Sequence, residues 1–149
     1  RAAPPPRQAD LGPARGAPGS TQPPGAPTRA APLPVHALRA AGVAVGLGTD
    51  GIRDLWSPYG TGDLLALTTQ LARLSRFRYD EELVTAARVA TSDAARFVGR
   101  DVHDLVVGAP ADVVLVDAEN VPDAVVRAPR RALVVAGGRV VARDGDVLV

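Results

Sequence analysis

Nine of the chain's 14 prolines fall within its first 33 residues, at positions 4, 5, 6, 13, 18, 23, 24, 27 and 32. Proline fixes φ and removes an N–H donor, so neither a helix nor a central strand propagates through such spacing. Glycines at 12, 16, 19 and 25 break it further, and large apolar residues are almost absent. The block cannot bury enough surface to offset its ordering entropy. Residues 1–33 are therefore expected to be disordered or polyproline-like. They read as an unstructured tail or, on composition alone, as a proline-motif ligand for a partner.

The texture changes at Pro34. A proline suits the first turn of a helix, and Val35, Leu38 and Ala41 share one face. Gly42 is placed to end that helix. Val43–Leu47 then reads as a buried strand, so the order is helix, glycine, strand, turn, as in an α/β repeat. Residues 48–62 carry turn formers. Asp63–Arg76 is amphipathic, with Leu64, Leu67, Leu71 and Leu74 on one stripe. Asp80-Glu81-Glu82 opens a helix reaching about Ala90, its acids favoured by the helix dipole. Thr91-Ser92-Asp93 is expected to cap a short helix ending near Val98-Gly99.

After residue 99 the pattern turns to β. Val113–Val116 is an apolar strand, and residues 121–127 are a short helix or turn. Arg131–Ala136 and Arg139–Ala142 flank Gly137-Gly138, a hairpin turn. Asp144-Gly145 is a second turn, feeding a final strand over Asp146–Val149.

Composition excludes several classes. The net charge of +1 leaves no basic footprint for nucleic acid. The chain has no cysteine, which removes disulfides, thiolate metal sites and a cysteine nucleophile, and fits a cytoplasmic protein. No apolar run is long enough to span a membrane. The chain starts with Arg1 and contains no methionine, which suggests a processed or partial product.

The chemistry-bearing stretch is Gly48-Thr49-Asp50-Gly51. It leaves one carboxylate at the end of an apolar segment, where α/β folds place their active sites. Trp56, the only tryptophan, follows six residues later. Asp50 can equally be a turn or cap aspartate, and Trp56 can be loop packing. Asp54 is as well explained as a loop cap, and Asp112 as a turn residue before a strand.

Three segments resemble the amidohydrolase superfamily, in its cytosine deaminase-like branch. The first is Gly48-Thr49-Asp50-Gly51-Ile52-Arg53-Asp54-Leu55-Trp56-Ser57-Pro58-Tyr59-Gly60-Thr61. The second is Ala90-Thr91-Ser92-Asp93-Ala94-Ala95-Arg96. The third joins Gly108-Ala109-Pro110-Ala111-Asp112-Val113-Val114-Leu115-Val116 through Ala118-Glu119-Asn120 to Val135-Ala136-Gly137-Gly138-Arg139-Val140-Val141. The resemblance implies an α/β fold: the C-terminal fragment of a metal-dependent (β/α)8 hydrolase barrel over residues 34–98, plus part of a flanking small β-sandwich over 99–149. It implies a divalent metal, zinc or iron, and a small heterocyclic substrate that loses an amine by hydrolysis. Asp50 would be both metal ligand and catalytic proton shuttle, and Trp56 would lie against the substrate ring.

The chain departs from that family in its histidines. Only His36 and His103 are present, and neither stands in a His-x-His pair. Both read as surface residues, so the metal-binding histidines are missing and this chain would not retain the metal alone. Gly51 stands where the cytosine deaminases have a second aspartate, and Thr49 where they have a histidine. The proline-rich block stands where barrel strands six and seven belong, and we read it as foreign to the barrel, the product of a frameshift or gene-model error. Whether the chain is an incomplete deaminase-like hydrolase or a non-catalytic remnant that binds a partner stays open on sequence alone. For the isolated chain the expectation is poorly packed helices over 34–98 and a small sheet with unpaired edges over 105–149.

Overall fold

A computed structural model describes residues 33–100 and 103–148. The proline-rich block, save Leu33, lies outside the described residues, as does Val149.

Four α-helices form one layer. α1 spans Val35–Ala40, with Pro34 at its N-cap, and the chain leaves it through Gly42 at φ +75°. α2 spans Leu64–Leu74. It starts at Asp63 because that side chain accepts hydrogen bonds from the N–H groups of Leu65 (2.9 Å) and Ala66 (3.1 Å), two donors that the first turn leaves unpaired. α3 spans Asp80–Ala90. The Glu82 carboxylate reaches back to accept from the Tyr79 N–H at 3.0 Å, half of a capping box. A 3-10 turn, Ala94–Val98, follows and ends at Gly99, φ +73°. The expected side-chain cap at Asp93 does not form there, because its carboxylate pairs with the Arg39 guanidinium of α1.

The sheet is an antiparallel meander in the order β1-β2-β3-β4. β1 is Val113–Val116, β2 Arg131–Ala136, β3 Arg139–Arg143 and β4 Asp146–Val147. Gly137 (φ +56°) and Gly138 (φ +77°) supply the two positive φ angles that a tight hairpin between β2 and β3 requires. Between β1 and β2 lies α4, Val121–Arg127. The Asn120 side chain caps it by accepting from the Asp123 N–H at 2.9 Å, and Pro122 falls in its first turn, where a missing N–H is harmless.

α4 leaves the sheet and packs on α2 and α3. Val125 is 1 % exposed within the core of Val35, Leu71, Ala72, Ala86 and Val89. The Thr69 hydroxyl of α2 donates to the Val125 carbonyl at 2.5 Å. Helix layer and sheet are joined by two ion pairs, Asp63 with Arg131 and Arg100 with Asp112 (3.2 Å).

Three sequence expectations need correction. Val43–Leu47 is not a strand but an irregular segment. A strand exists through its partners, and the only backbone bonds its amides make among the described residues are Val43 N–H to Leu38 and Leu47 N–H to Val89 (2.8 Å). The leucine stripe of α2 is its buried face only in part: Leu71 is buried together with Thr68 and Ala72, while Leu64 and Leu74 are exposed. β4 is two residues long, because Leu148 bonds Val141 only once beyond it.

Candidate functional site

Gly48, Thr49 and Asp50 continue the irregular segment away from the helical core. Val45 and Leu47 pack against that core and anchor the segment. Asp50 takes a left-handed backbone, φ +54°, a conformation that aspartate tolerates better than most residues. Its side chain is exposed.

The loop that follows folds back on itself. The Asp54 carboxylate accepts from the N–H groups of Trp56 (2.9 Å) and Ser57 (2.7 Å), an Asx-type turn. The other oxygen of Asp54 lies over Gly51, where a Cβ would sit 1.8 Å from it. Gly60 closes the loop, since a Cβ there would come within 3.1 Å of the Gly51 carbonyl and the Ile52 Cα. A side chain at position 51 would meet the carboxylate of Asp54, which would have to move aside. Trp56 is 89 % exposed and touches no described aromatic ring.

Beside this loop, a cavity of about 1800 Å³ lies open between the helix layer and the sheet. Thr49, Thr61, Asp63, His103, Asp112 and Arg131 line it, together with apolar groups of Leu64, Val98, Val113 and Val134. Asp50 and Trp56 do not line it. Both are exposed, and among the described residues neither makes a side-chain hydrogen bond or ion pair to another reacting group.

The other titratable groups have structural work. The His36 Nε2 lies 3.4 Å from the Glu82 carboxylate, and its ring packs 4.8 Å from Phe77. Glu82 is held below the usual carboxylate range mainly by the N–H groups of Arg78 and Tyr79, with His36 adding to it. Asp112 accepts from the Gly137 N–H at 2.6 Å and pairs with Arg100, so it holds the hairpin turn. Asp63 feels burial, which raises its pKa, but the Ala66 N–H and Arg131 outweigh it and leave the carboxyl below its ordinary value. Asp63 is the cavity residue that sequence reasoning treated only as a helix start. Its signal was present, an aspartate directly before an apolar helix, but the pairing with Arg131 joins positions 68 apart in sequence.

Among the described residues, no three His, Cys, Asp or Glu side chains come together in a way that could hold a metal ion. A catalytic divalent metal of this type takes about three protein ligands. The residues described here do not make such a site by themselves.

Residues 7–142 match the family model described as "Amidohydrolase family", a match that starts inside the proline-rich block. The chain is 29 % identical over 118 residues to N-isopropylammelide isopropyl amidohydrolase of a Pseudomonas species, covering 78 % of this chain and 29 % of that protein. It is 34 % identical over 111 residues to a pterin deaminase of Rhizobium rhizogenes, covering 74 % and 25 %. Among solved structures, N-isopropylammelide isopropylaminohydrolase of Burkholderia multivorans superposes with a TM-score of 0.73 at 48 % identity, over 76 % of this chain and 29 % of that one. The 5-methylcytosine deaminase of Klebsiella pneumoniae, liganded with 5-fluorocytosine, superposes at 0.65 and 29 % identity, over 73 % and 27 %. The chain spans between a quarter and three tenths of the length of these relatives.

Proposed function

The chain belongs to the amidohydrolase family, on its cytosine deaminase-like branch, and we propose that it supplies one corner of the active site of a hydrolase that releases an amine from a nitrogen heterocycle. The observation that carries this reading is the position of Asp50. It is an exposed carboxylate at the end of the segment anchored by Val45 and Leu47, within the stretch Gly48–Thr61 that carries the resemblance. The three kinds of relative act, by their names, on an alkylamino-triazine, a pterin and a pyrimidine. These share an exocyclic C–N bond on a six-membered ring containing nitrogen, which sets the substrate class.

In this reading Asp50 is the catalytic carboxylate and one metal ligand, and Trp56 offers a flat apolar face to the ring. Amidohydrolases generally use a divalent metal, whose chemistry is to activate water and polarise the reacting carbon. The described residues do not hold one, so only Asp50's own part is argued: a carboxylate there accepts a proton from water and returns it to the departing nitrogen. The barrel and sandwich are the architecture we assign to the complete fold, with residues 34–98 and 99–149 as their respective parts.

A second reading, a chain without activity of its own, is favoured by the lack of a three-ligand group among the described residues. One assay separates the two. The purified chain, and the complete protein to which it corresponds, are tested for bound metal and for ammonia or alkylamine release from aminopyrimidines and aminotriazines. The complete protein is expected to turn over, and Asp50→Ala to lower kcat/KM by ~10²–10⁴-fold, the range for a lost general base. Turnover that survives Asp50→Ala would overturn the site assignment. Stoichiometric metal with turnover in the isolated chain would overturn the claim that it is incomplete.

A further inference from the structure

The loop that carries Asp50 and Trp56 is held only at its ends. Among the described residues, every hydrogen bond made by residues 48–62 has its partner within residues 48–63. None of the loop's charged groups joins an ion pair there. At the front, Leu47 donates its N–H to the Val89 carbonyl and packs on the helical core. At the back the loop ends on Asp63. One oxygen of that carboxylate, Oδ1, accepts from the Leu65 and Ala66 N–H groups and from the Arg131 guanidinium of β2.

Arg131 is itself braced. Its Nη1 donates to the Pro129 carbonyl at 3.2 Å while its Nη2 reaches Asp63, a two-armed grip that a planar guanidinium offers. The side chains of Arg131 and Asp63 are 25 % and 30 % exposed, so water and salt screen the pair less than one on the open surface. The sheet stays attached to the helices through α4, which lies between β1 and β2 in the chain and packs in the helical core. What the ion pair adds is a fixed place for Asp63. That place passes up the loop by contact. A Cβ at Gly62 would lie 3.0 Å from the Ile52 Cδ1, and one at Gly60 would lie 3.1 Å from the Gly51 carbonyl oxygen and the Ile52 Cα. Gly60 and Gly62 thus lie close against Gly51 and Ile52, which follow Asp50 directly.

We infer that Arg131 is a positioning residue of the candidate site: from the sheet, through Asp63, it fixes the back of the loop and with it the placement of Asp50 and Trp56. The catalytic consequence rests on the functional reading above, whereas the tie to the loop is measured without turnover.

Ile52 is the chain's only isoleucine, so its δ1 methyl gives a single NMR signal inside the loop. The test follows that methyl and the Gly60 and Gly62 amides in the full 149-residue chain, in Arg131→Met, in Asp63→Asn and in the double variant. Asparagine keeps the helix cap and removes the charge. Arg100→Met is the control, because it breaks the other ion pair between helices and sheet, which does not touch the loop. In the parent, the Ile52 methyl should show a nuclear Overhauser contact to Gly62. The Gly60 and Gly62 amide order parameters should be about 0.85 in the parent and in Arg100→Met, and below about 0.6 in the other variants. The double variant should fall no further than either single one, because both remove the same contact. A parent loop already below that range would overturn the inference, as would an unchanged loop in Asp63→Asn or equal loosening in Arg100→Met. Should Arg131→Met lose its helical circular dichroism, Asp63→Asn decides alone. In the complete protein to which the chain corresponds, Arg131→Met should lower kcat by ~10-fold or more with a smaller change in KM, and an unchanged kcat would overturn the positioning role. Loop responses as expected in a protein that releases no amine uphold the tie and sink the functional reading instead.

Discussion

Asp50 takes an exposed, left-handed position, and among the described residues no hydrogen bond holds its carboxylate, while Asp54 accepts from two backbone N–H groups and Asp63 from two more besides Arg131. The difference predicts which side chains govern the fold and which are free for chemistry. Asp54 bridges Gly51 to the Trp56-Ser57 turn, so Asp54→Ala should loosen that loop without unfolding the helices. Trp56 is the only tryptophan, and its fluorescence anisotropy should fall in this variant while far-UV circular dichroism stays constant. Asp63 carries a sign-determinate pH dependence. Its folded-state pKa lies below the ordinary 3.8, so the unfolded chain binds the proton more tightly. Its contribution is complete above that ordinary value and is lost as pH falls through the lower, folded one. Asp123, held to about 2 first by Arg127 and then by the Glu119 N–H, follows the same sign over a window reaching about pH 2. Asp63→Asn should therefore flatten the loss of melting temperature below pH 4 relative to the parent, leaving the Asp123 part. Asp63→Ala removes the cap as well and should cost ~1–2 kcal/mol by urea titration at pH 7.

At the scale of elements, the caps decide where helices begin and tertiary contact decides which face they bury. The leucines of α2 suggest one stripe, but the residues it buries are Thr68, Leu71 and Ala72, while Leu64 stays exposed at the cavity. Gly46 marks the closest approach of the irregular segment to the 3-10 turn. A Cβ there would lie 2.7 Å from the Phe97 ring and 3.2 Å from the Ala94 Cα. The ring can swing aside, but the Ala94 backbone cannot. Gly46→Val should destabilise the helical layer by ~1–3 kcal/mol, as overpacking does elsewhere, and urea denaturation followed by helical signal measures it. An unchanged midpoint would show that the segment is not seated against the 3-10 turn.

For the molecule as a whole, the helical core is small and much apolar surface stays outside it. Leu55, Trp56, Tyr59, Val98, Leu105 and Val107 are each more than 70 % exposed. Exposed apolar groups in such number mark surfaces meant to be covered. The isolated chain is accordingly expected to bind a hydrophobic dye such as ANS at neutral pH. A free chain that binds no dye would mean that its apolar groups are covered without a partner.

The sequence by itself determined the elements whose causes are local. Asp63, Asn120 and the Glu82 reach-back start their helices, and Gly137-Gly138 turns the hairpin. It also picked out Gly48–Thr61 and, through it, the family. Tertiary structure decided what depends on partners distant in the chain. Arg131 and Arg39 claim Asp63 and Asp93, α4 leaves the sheet to complete the helical core, and Val43–Leu47 joins no strand ladder among the described residues although its apolar run reads as one. The physical reason is that caps and turns close hydrogen bonds within a few residues, whereas a strand or an active site exists only when separate segments meet. In the role proposed for it, Asp50 belongs to that second kind: its residue type and place are legible in the sequence, and among the described residues no group of metal-ligating side chains comes together around it.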